Sequence, residues 1–394
     1  MITIKETISK IIRGLWGEEL AEGVIGIPVI KTNNMSYEGK IDYSELTYRD
    51  IDESKVQDNY LQNGDLLIEK SGGTKTHSVG YVNIFEGTDN KYVCNNFILA
   101  IRPNKKVIRP KYLFYDIQYK YNSGKFDDCY NKTTGIQNLK VDNYLAKRIK
   151  NLDLNKQQEI VLILDKINAI IDSDKKQLEL LDETVKSRFI EMFGDPNLND
   201  KSFSQLSIKD IGKCVAGATP STKIKEYWDN GTISWLSSGE VNKQRIFETD
   251  SKITELGYNH ASTKMVPAHT VVLAMAGQGK TRGTVAMAEI PLCTNQSICS
   301  IVNNNKVNPE YLLEYLKLQY NELRRVSNGG EGRGGLNLKI IGDFPIIVPP
   351  IELQNDYAEF VTQIDKSKFN IQQHLNLMQE LLDKKMEEFF GGAE

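Results

Sequence analysis

The sequence predicts an α+β protein made by internal duplication, with two mixed α/β lobes and two long helices that need each other. Two observations carry this prediction. The stretch Gln157 to Gly194, QQEIVLILDKINAIIDSDKKQLELLDETVKSRFIEMFG, holds no proline, and its only glycine is the last residue. With Leu164, Ile171, Leu178, Val185 and Met192 at heptad position a, Ile160, Ile167 and Leu181 fall at d, while Asp174 and Arg188 interrupt the seam. Heptads sustained over this length predict a long helix with a partner helix along it. The second observation supplies the partner. Gln354 to Gly391 places Val361, Ile364, Ile371, Leu375, Met378, Leu382 and Phe389 on the matching seam. Leu164 corresponds to Val361, an offset of 197 that is half of the 394 residues. The endings match as well, Met192-Phe193-Gly194 with Phe389-Phe390-Gly391.

Ahead of each helix the texture turns mixed. Ile25 to Ile30 reads as a strand, and Asn33-Asn34 and Glu38-Gly39-Lys40 read as turns. The turn Asn63-Gly64-Asp65 feeds the strand Leu66-Leu67-Ile68, and Ser71 to Gly80, SGGTKTHSVG, is a loop rich in glycine and hydroxyls. Strands at Tyr92-Val93 and Phe97 to Ile101 follow, and then a helix that carries Pro110 in its first turn. The polar loop Asn131 to Gly135 leads on towards the long helix. The second half repeats this order. Val271 to Ala274 matches Leu66 to Ile68, Ala276 to Gly283 matches the loop Ser71 to Gly80, and Asn295-Gln296 matches Asn95-Asn96. Pro309-Glu310-Tyr311-Leu312 matches Pro110-Lys111-Tyr112-Leu113. Similarity fades before Leu66 and Val271, so one framework is expected to present two different surfaces.

Composition sets limits on function. Forty per cent hydrophobic and 26% charged residues describe an ordinary globular protein. No apolar run reaches the roughly 18–20 residues of a membrane helix, and the opening MITIKETISKIIRG lacks the apolar core of a signal peptide. A cytoplasmic address is expected. The five cysteines form no C-x-x-C pair, and His77, His260, His269 and His374 lack metal-ligand spacing. Gly279-Lys280-Thr281 resembles the end of a phosphate-binding loop, but Ala274 stands where the first glycine of that loop belongs. No arrangement of nucleophile, base and acid emerges, so the chain is expected not to be an enzyme.

Charge geography remains. No acid lies between Glu69 and Glu86, between Asp89 and Asp116, or between Glu255 and Glu289, whereas lysines, arginines and glycines do. Such loops let the backbone approach phosphates and let Lys, Arg, Gln and Thr reach base edges. The plainer reading is a set of solvated loops, but their recurrence at matching points of both copies favours binding. The loop Ser327 to Arg333, SNGGEGR, could face DNA or merely be flexible. Net charge −3 confines any nucleic-acid site to a local patch.

The duplicated ends carry a family resemblance, through Gln157-Gln158-Glu159-Ile160-Val161 with Leu164-Asp165-Lys166-Ile167 and through Pro349-Pro350-Ile351-Glu352-Leu353-Gln354. Thr219-Pro220-Ser221, Glu226-Tyr227-Trp228, Ile233-Ser234-Trp235-Leu236 and the run Gly277 to Ala286 add to it. In the order of these motifs the chain resembles the specificity subunit of type I restriction-modification systems, over nearly its whole length. The resemblance implies two target recognition domains of mixed α/β build, here 1–155 and 195–352. It also implies conserved helices at 156–194 and 353–394 that pair as an antiparallel coiled coil with pseudo-twofold symmetry. The implied partners are double-stranded DNA with an asymmetric, bipartite site, two modification subunits that methylate adenine, and two restriction subunits. No cofactor is expected in this chain; S-adenosylmethionine and ATP/Mg belong to the partner subunits. Asn155-Lys156 departs from the Pro-Pro that precedes the second helix.

The expected DNA contacts are Lys70, Lys75, Thr76, Gln278, Lys280, Thr281 and Arg282, with Lys31, Lys223 and Lys243 beside them. The seam is expected at Leu164, Ile167, Ile171, Leu178, Leu181 and Val185 against Val361, Ile364, Ile371, Leu375, Met378 and Leu382. A register that layers a against d puts Asp174 opposite Lys368 and Ile171 opposite Ile371. A helix of this length, roughly 55 Å at 1.5 Å per residue, could serve as a ruler for the spacer between half-sites. The competing reading is a coiled-coil scaffold whose lobes bind protein.

Overall fold

The computed structural model describes residues 1–23, 25–74, 76–87, 91–131, 135–277, 279–327 and 335–392. The chain forms two compact units, Met1–Lys175 with Gln373–Glu394, and Lys176–Gln372. None of the described helices is long and apolar enough to cross a membrane.

In the first unit Leu66–Glu69 is buried throughout, as its run of apolar residues requires. It lies inside an antiparallel sheet ordered Ile8–Ile12, Ile98–Pro103, Leu66–Glu69, Val82–Ile84. A smaller sheet pairs Ile27–Ile30 antiparallel with Thr47–Arg49 and parallel with Val93–Cys94. The helix Pro110–Asn122 lays Tyr112, Leu113 and Ile117 against Leu66, Ile68, Leu99 and Ile101. Ile2–Thr3 pairs with Arg148–Ile149 just ahead of the long helix.

The second unit repeats each of these parts. Its main sheet runs Gly212–Ala216, Ile298–Asn303, Thr270–Ala274, Val285–Ala288, with Arg245–Ile246 added in parallel at the edge. Ile233–Leu236 pairs antiparallel with Ser251–Ile253 and parallel with Cys293–Thr294. Ser204–Ser207 pairs with Pro345–Val348. The duplication therefore extends through the early segments, where the residues have diverged but the strand order has not. Thr3 and Glu6 make a reciprocal capping box, and at the matching place Ser207 N–H donates to Asp210 Oδ2 at 2.9 Å.

The long helices span Leu154–Phe193 and Ile351–Phe390, 40 residues each. The first has no proline to start it; Asp153 Oδ1 instead accepts from the N–H groups of Asn155 and Lys156, each at 3.0 Å. Four residues into each helix stands a fully buried glutamine. Gln157 Oε1 accepts from Arg109 N–H at 2.7 Å while its amide donates to Leu152 O at 2.8 Å. Gln354 repeats this with Asn308 N–H at 2.8 Å and Pro349 O at 2.7 Å. Each glutamine thus ties its helix start to the turn before the proline-led helix, which explains why this residue type recurs at the offset of 197.

Within each unit the helices run antiparallel. Ile160, Val161 and Leu164 share the first core with Met386 and Phe390; Val185, Phe189 and Phe193 share the second with Tyr357 and Val361. On the seam, Leu164, Ile167, Ile171, Val185 and Val361 are buried, and Leu178, Leu181, Ile364, Ile371, Leu375, Met378 and Leu382 are half-buried. Two details of the expected heptads differ. Phe189 and Phe193 are buried where Arg188 and Met192 were placed on the seam, because the last turns pack on the sheet's own helix as well as on the partner. The register also differs by about one heptad. Asp174 Oδ2 lies 2.7 Å from His374 Nδ1, and Lys368 binds Asp182 at 2.5 Å. Periodicity fixes which face meets the partner but leaves the choice of heptad open, so Asp174 and Lys368 do not pair.

Gln157→Ala and Gln354→Ala should each lower stability by about 1–3 kcal/mol, since each removes a buried amide and leaves the backbone N–H and carbonyl it bridged without that partner. Urea unfolding should show the loss, and a change within error at both positions would contradict the role given to them.

Candidate nucleic-acid interface

In the first unit the loop after Leu66–Glu69 is stitched from below. Ser71–Gly72 pairs with Gln137–Asn138, Ser71 Oγ donates to Asn138 Oδ1 at 2.7 Å, and Val79 N–H donates to Gln137 Oε1 at 3.2 Å. Lys70, half-buried, has its backbone fixed on both sides by Phe97 O and Leu139 N–H, at 2.7 and 2.8 Å. Thr76 is exposed, and its hydroxyl lies 3.0 Å from His77 Nδ1. The His77 ring stacks on Tyr37 at 3.9 Å. Beneath the loop Glu69 is buried, and burial raises its carboxyl above the usual range. Gly73 N–H reaches its Oε1 at 3.4 Å, and Oε2 has no partner among the described residues. Gly72 has φ +141°, a backbone conformation that favours glycine, and a Cβ there would sit 2.4 Å from Glu69 Oε1. Lys75 lies outside the described residues.

The matching loop of the second unit follows Thr270–Ala274 and turns on Gly277, Gly279 and Gly283, all with positive φ. Lys280 is exposed, and Thr281 and Arg282 are half-buried. Tyr320 and Arg324, on the helix Tyr320–Ser327, reach the loop's carbonyls: Tyr320 Oη donates to Lys280 O at 2.8 Å and Arg324 Nη1 to Gly279 O at 2.8 Å. Sequence reasoning missed both residues; their spacing of four on one helix face was the available signal. Gln278 and most of the loop Ser327 to Arg333 lie outside the described residues.

The remaining candidates are scattered. Half-buried Lys31 ends the strand Ile27–Ile30, and exposed Lys223 precedes the single turn Lys225–Tyr227. Lys243 has its ammonium engaged by Asp250 at 2.7 Å and Glu240 at 3.3 Å. Among the described residues no group of His, Cys, Asp and Glu could hold a metal ion.

The whole architecture occurs in known proteins. The model of the type I restriction modification DNA specificity domain matches residues 8–183 and again 201–380. The chain belongs to this family. Among its relatives, the type I restriction enzyme EcoR124I/EcoR124II specificity subunit of Escherichia coli is 25% identical over 260 residues, which is 63% of this chain and 63% of that protein. The putative type I restriction enzyme MjaX specificity subunit of Methanocaldococcus jannaschii is 22% identical over 378 residues, covering 92% of this chain and 85% of its own length. The crystal structure of the type I restriction-modification S subunit from M. genitalium shares the fold, with a TM-score of 0.61 at 15% identity over 98% of this chain and 95% of that one. As a specificity subunit, the chain is a DNA-recognition subunit.

Each recognition unit of this specificity subunit is fastened to a long helix by ions. In the first, Lys111 bridges Glu86 at 3.2 Å and Asp165 at 3.1 Å, and Tyr115 Oη donates to Asp165 at 2.7 Å. In the second, Arg245 binds Glu289 at 2.5 Å and both Glu310 and Asp365 at 2.7 Å. The charge on the proline-led helix is reversed between the copies, Lys111 in one and Glu310 in the other. Arg245→Met leaves three carboxylates facing one another and should cost about 3 kcal/mol, as removal of one partner from a largely buried network does. Lys111→Met leaves Asp165 hydrogen-bonded to Tyr115 and should cost at most about 1 kcal/mol. Equal losses in urea unfolding would refute this ranking.

Proposed function

We propose that this specificity subunit binds an asymmetric, bipartite site in double-stranded DNA, with one half read by recognition domain 1–155 and the other by 195–352. The long helices, 156–194 and 353–394, hold two modification subunits that methylate adenine, and restriction subunits join that core. The chain itself performs no chemistry; S-adenosylmethionine and ATP/Mg act in the partners. The observation that carries this reading is the pair of acid-free, glycine-rich loops at matching positions of one duplicated scaffold. The scaffold is the same in both copies and the loop residues differ, so two different half-sites are read. Lys70, Lys75 and Thr76 serve the first half-site, and Gln278, Lys280, Thr281 and Arg282 the second; Lys31 and Lys223 add charge, while Lys243 is already paired with Asp250 and Glu240.

Phosphate contacts release counterions, so binding by the full chain should weaken steeply as salt rises, and a footprint should show two protected blocks. Lys280→Met should weaken binding to all sequences alike and reduce the salt slope by about 1, whereas Arg282→Met should relax base preference in one half-site only. A single protected block, or binding indifferent to salt, would instead favour the protein-binding scaffold.

The spacer between half-sites is set by the helix pair. Inserting seven residues into each helix, near 175 and near 372, keeps the seam in phase and should lengthen the spacer seen in the methylation pattern of a host carrying the complex. An unchanged spacer would sink the ruler.

A further inference from the structure

The reading loop of the second unit is shaped by a helix that lies outside it. The sequence places Tyr320 and Arg324 four residues apart, on one face of Tyr320–Ser327. Arg324 Nη1 donates to Gly279 O at 2.8 Å and Arg282 O at 3.3 Å, and it donates to Tyr320 Oη at 3.0 Å. Tyr320 Oη in turn donates to Lys280 O at 2.8 Å. Three carbonyls within four consecutive residues are therefore held by two side chains that are themselves joined. The guanidinium carbon also lies 5.5 Å from the centre of the Tyr320 ring, which restricts its rotation. The loop accepts this clasp at Gly283, where φ is +87° and an added Cβ would come within 3.4 Å of Arg324 Cγ. The first unit holds its loop by other means, through the strand pairing of Ser71–Gly72 with Gln137–Asn138.

A loop whose carbonyls are fixed presents its side chains in one arrangement before any ligand arrives, and pre-organisation of this kind sharpens discrimination. We propose that Tyr320 and Arg324 are positioning residues that set the base preference of the second half-site by holding Gly279 to Arg282, without contacting DNA themselves. This rests on the DNA-reading role proposed for that loop. Nη1 of the guanidinium is taken up by two backbone oxygens of the loop and the Tyr320 hydroxyl, which assigns Arg324 a part in shaping the loop. One consequence is that the loop alone does not carry its specificity; residues 320 and 324 must travel with it.

The test uses the full chain, with selection from a pool of duplexes randomised in both half-sites, alongside binding measured across a range of salt. Arg324→Met should flatten the preference in the second half-site by about ten-fold or more, the discrimination a good base contact supplies. The first half-site and the salt slope should stay unchanged. Tyr320→Phe, which removes one hydroxyl and keeps the ring, should give a smaller flattening in the same half-site. Retention of the second half-site preference by Arg324→Met would overturn the proposal. So would a drop of about 1 in the salt slope, which marks a phosphate contact, and so would equal loss at both half-sites, which marks a general fault in folding. A wild-type chain that selects no bipartite site overturns the DNA reading itself and the role of the brace with it, an outcome distinct from failure of the variants alone.

Discussion

The arrangement that everything else depends on is the shared completion of each core by two helices. The first unit closes on the start of one long helix, through Leu164, and on the end of the other, through Phe390 packed 5.4 Å from Tyr112. The second closes on Tyr357 and Val361 from one helix start and on Phe193, 4.8 Å from Tyr311, from the other helix end. Neither recognition domain has a finished core without a segment from far along the chain. A long amphipathic helix that is marginal by itself becomes obligatory once both of its ends are buried in this way. The seam between those ends can then be thinner, and it is: Ile371, Leu375 and Met378 are only half-buried.

That division of labour explains which residues repeat between the two copies and which do not. Gln157 and Gln354, themselves buried, recur because each satisfies a backbone N–H and a carbonyl at the start of its long helix. Asn95 and Asn295 recur because each accepts from the N–H two residues on, Phe97 at 3.1 Å and Ser297 at 3.0 Å, at the turn that launches a central strand. The loops beyond those turns answer to no such demand, and there the two copies have gone separate ways.

The parts legible in the sequence were those governed by short-range rules. The heptads, the proline-led helices and strands such as Leu66–Glu69 follow from periodicity and turn chemistry. The shared strand order of the early segments was illegible, because a scaffold constrains burial and direction while Ile27–Ile30 and Ile233–Leu236 satisfy those with different residues. The helix register was illegible for a different reason. Charges at Asp174 and Lys368 suggested a pair, but each had a competing partner one heptad away, in His374 and Asp182. In the candidate interface, glycine and charge located the loops but not what holds them. Tyr320 and Arg324 lie some 40 residues beyond the carbonyls they bind, and Lys243 looked like a free cation until Asp250 and Glu240 came beside it.

The ion networks show how a duplicated scaffold avoids treating its halves as interchangeable. The offset of 197 places Thr362 where the first helix has Asp165, and Asn168 where the second has Asp365. A first domain seated on the second helix would leave Lys111 facing a hydroxyl, and a second domain seated on the first would trade the Arg245–Asp365 pair for an amide. Each exchange loses an ion pair and also alters the apolar fit, with Ile160 traded for Tyr357 and Val161 for Ala358, so electrostatics adds to packing in opposing the swap. Charge pairs of this kind add little net stability but help to discriminate between alternative packings. A different ion pair on each helix favours one seating of each unit, which an apolar replacement would not do.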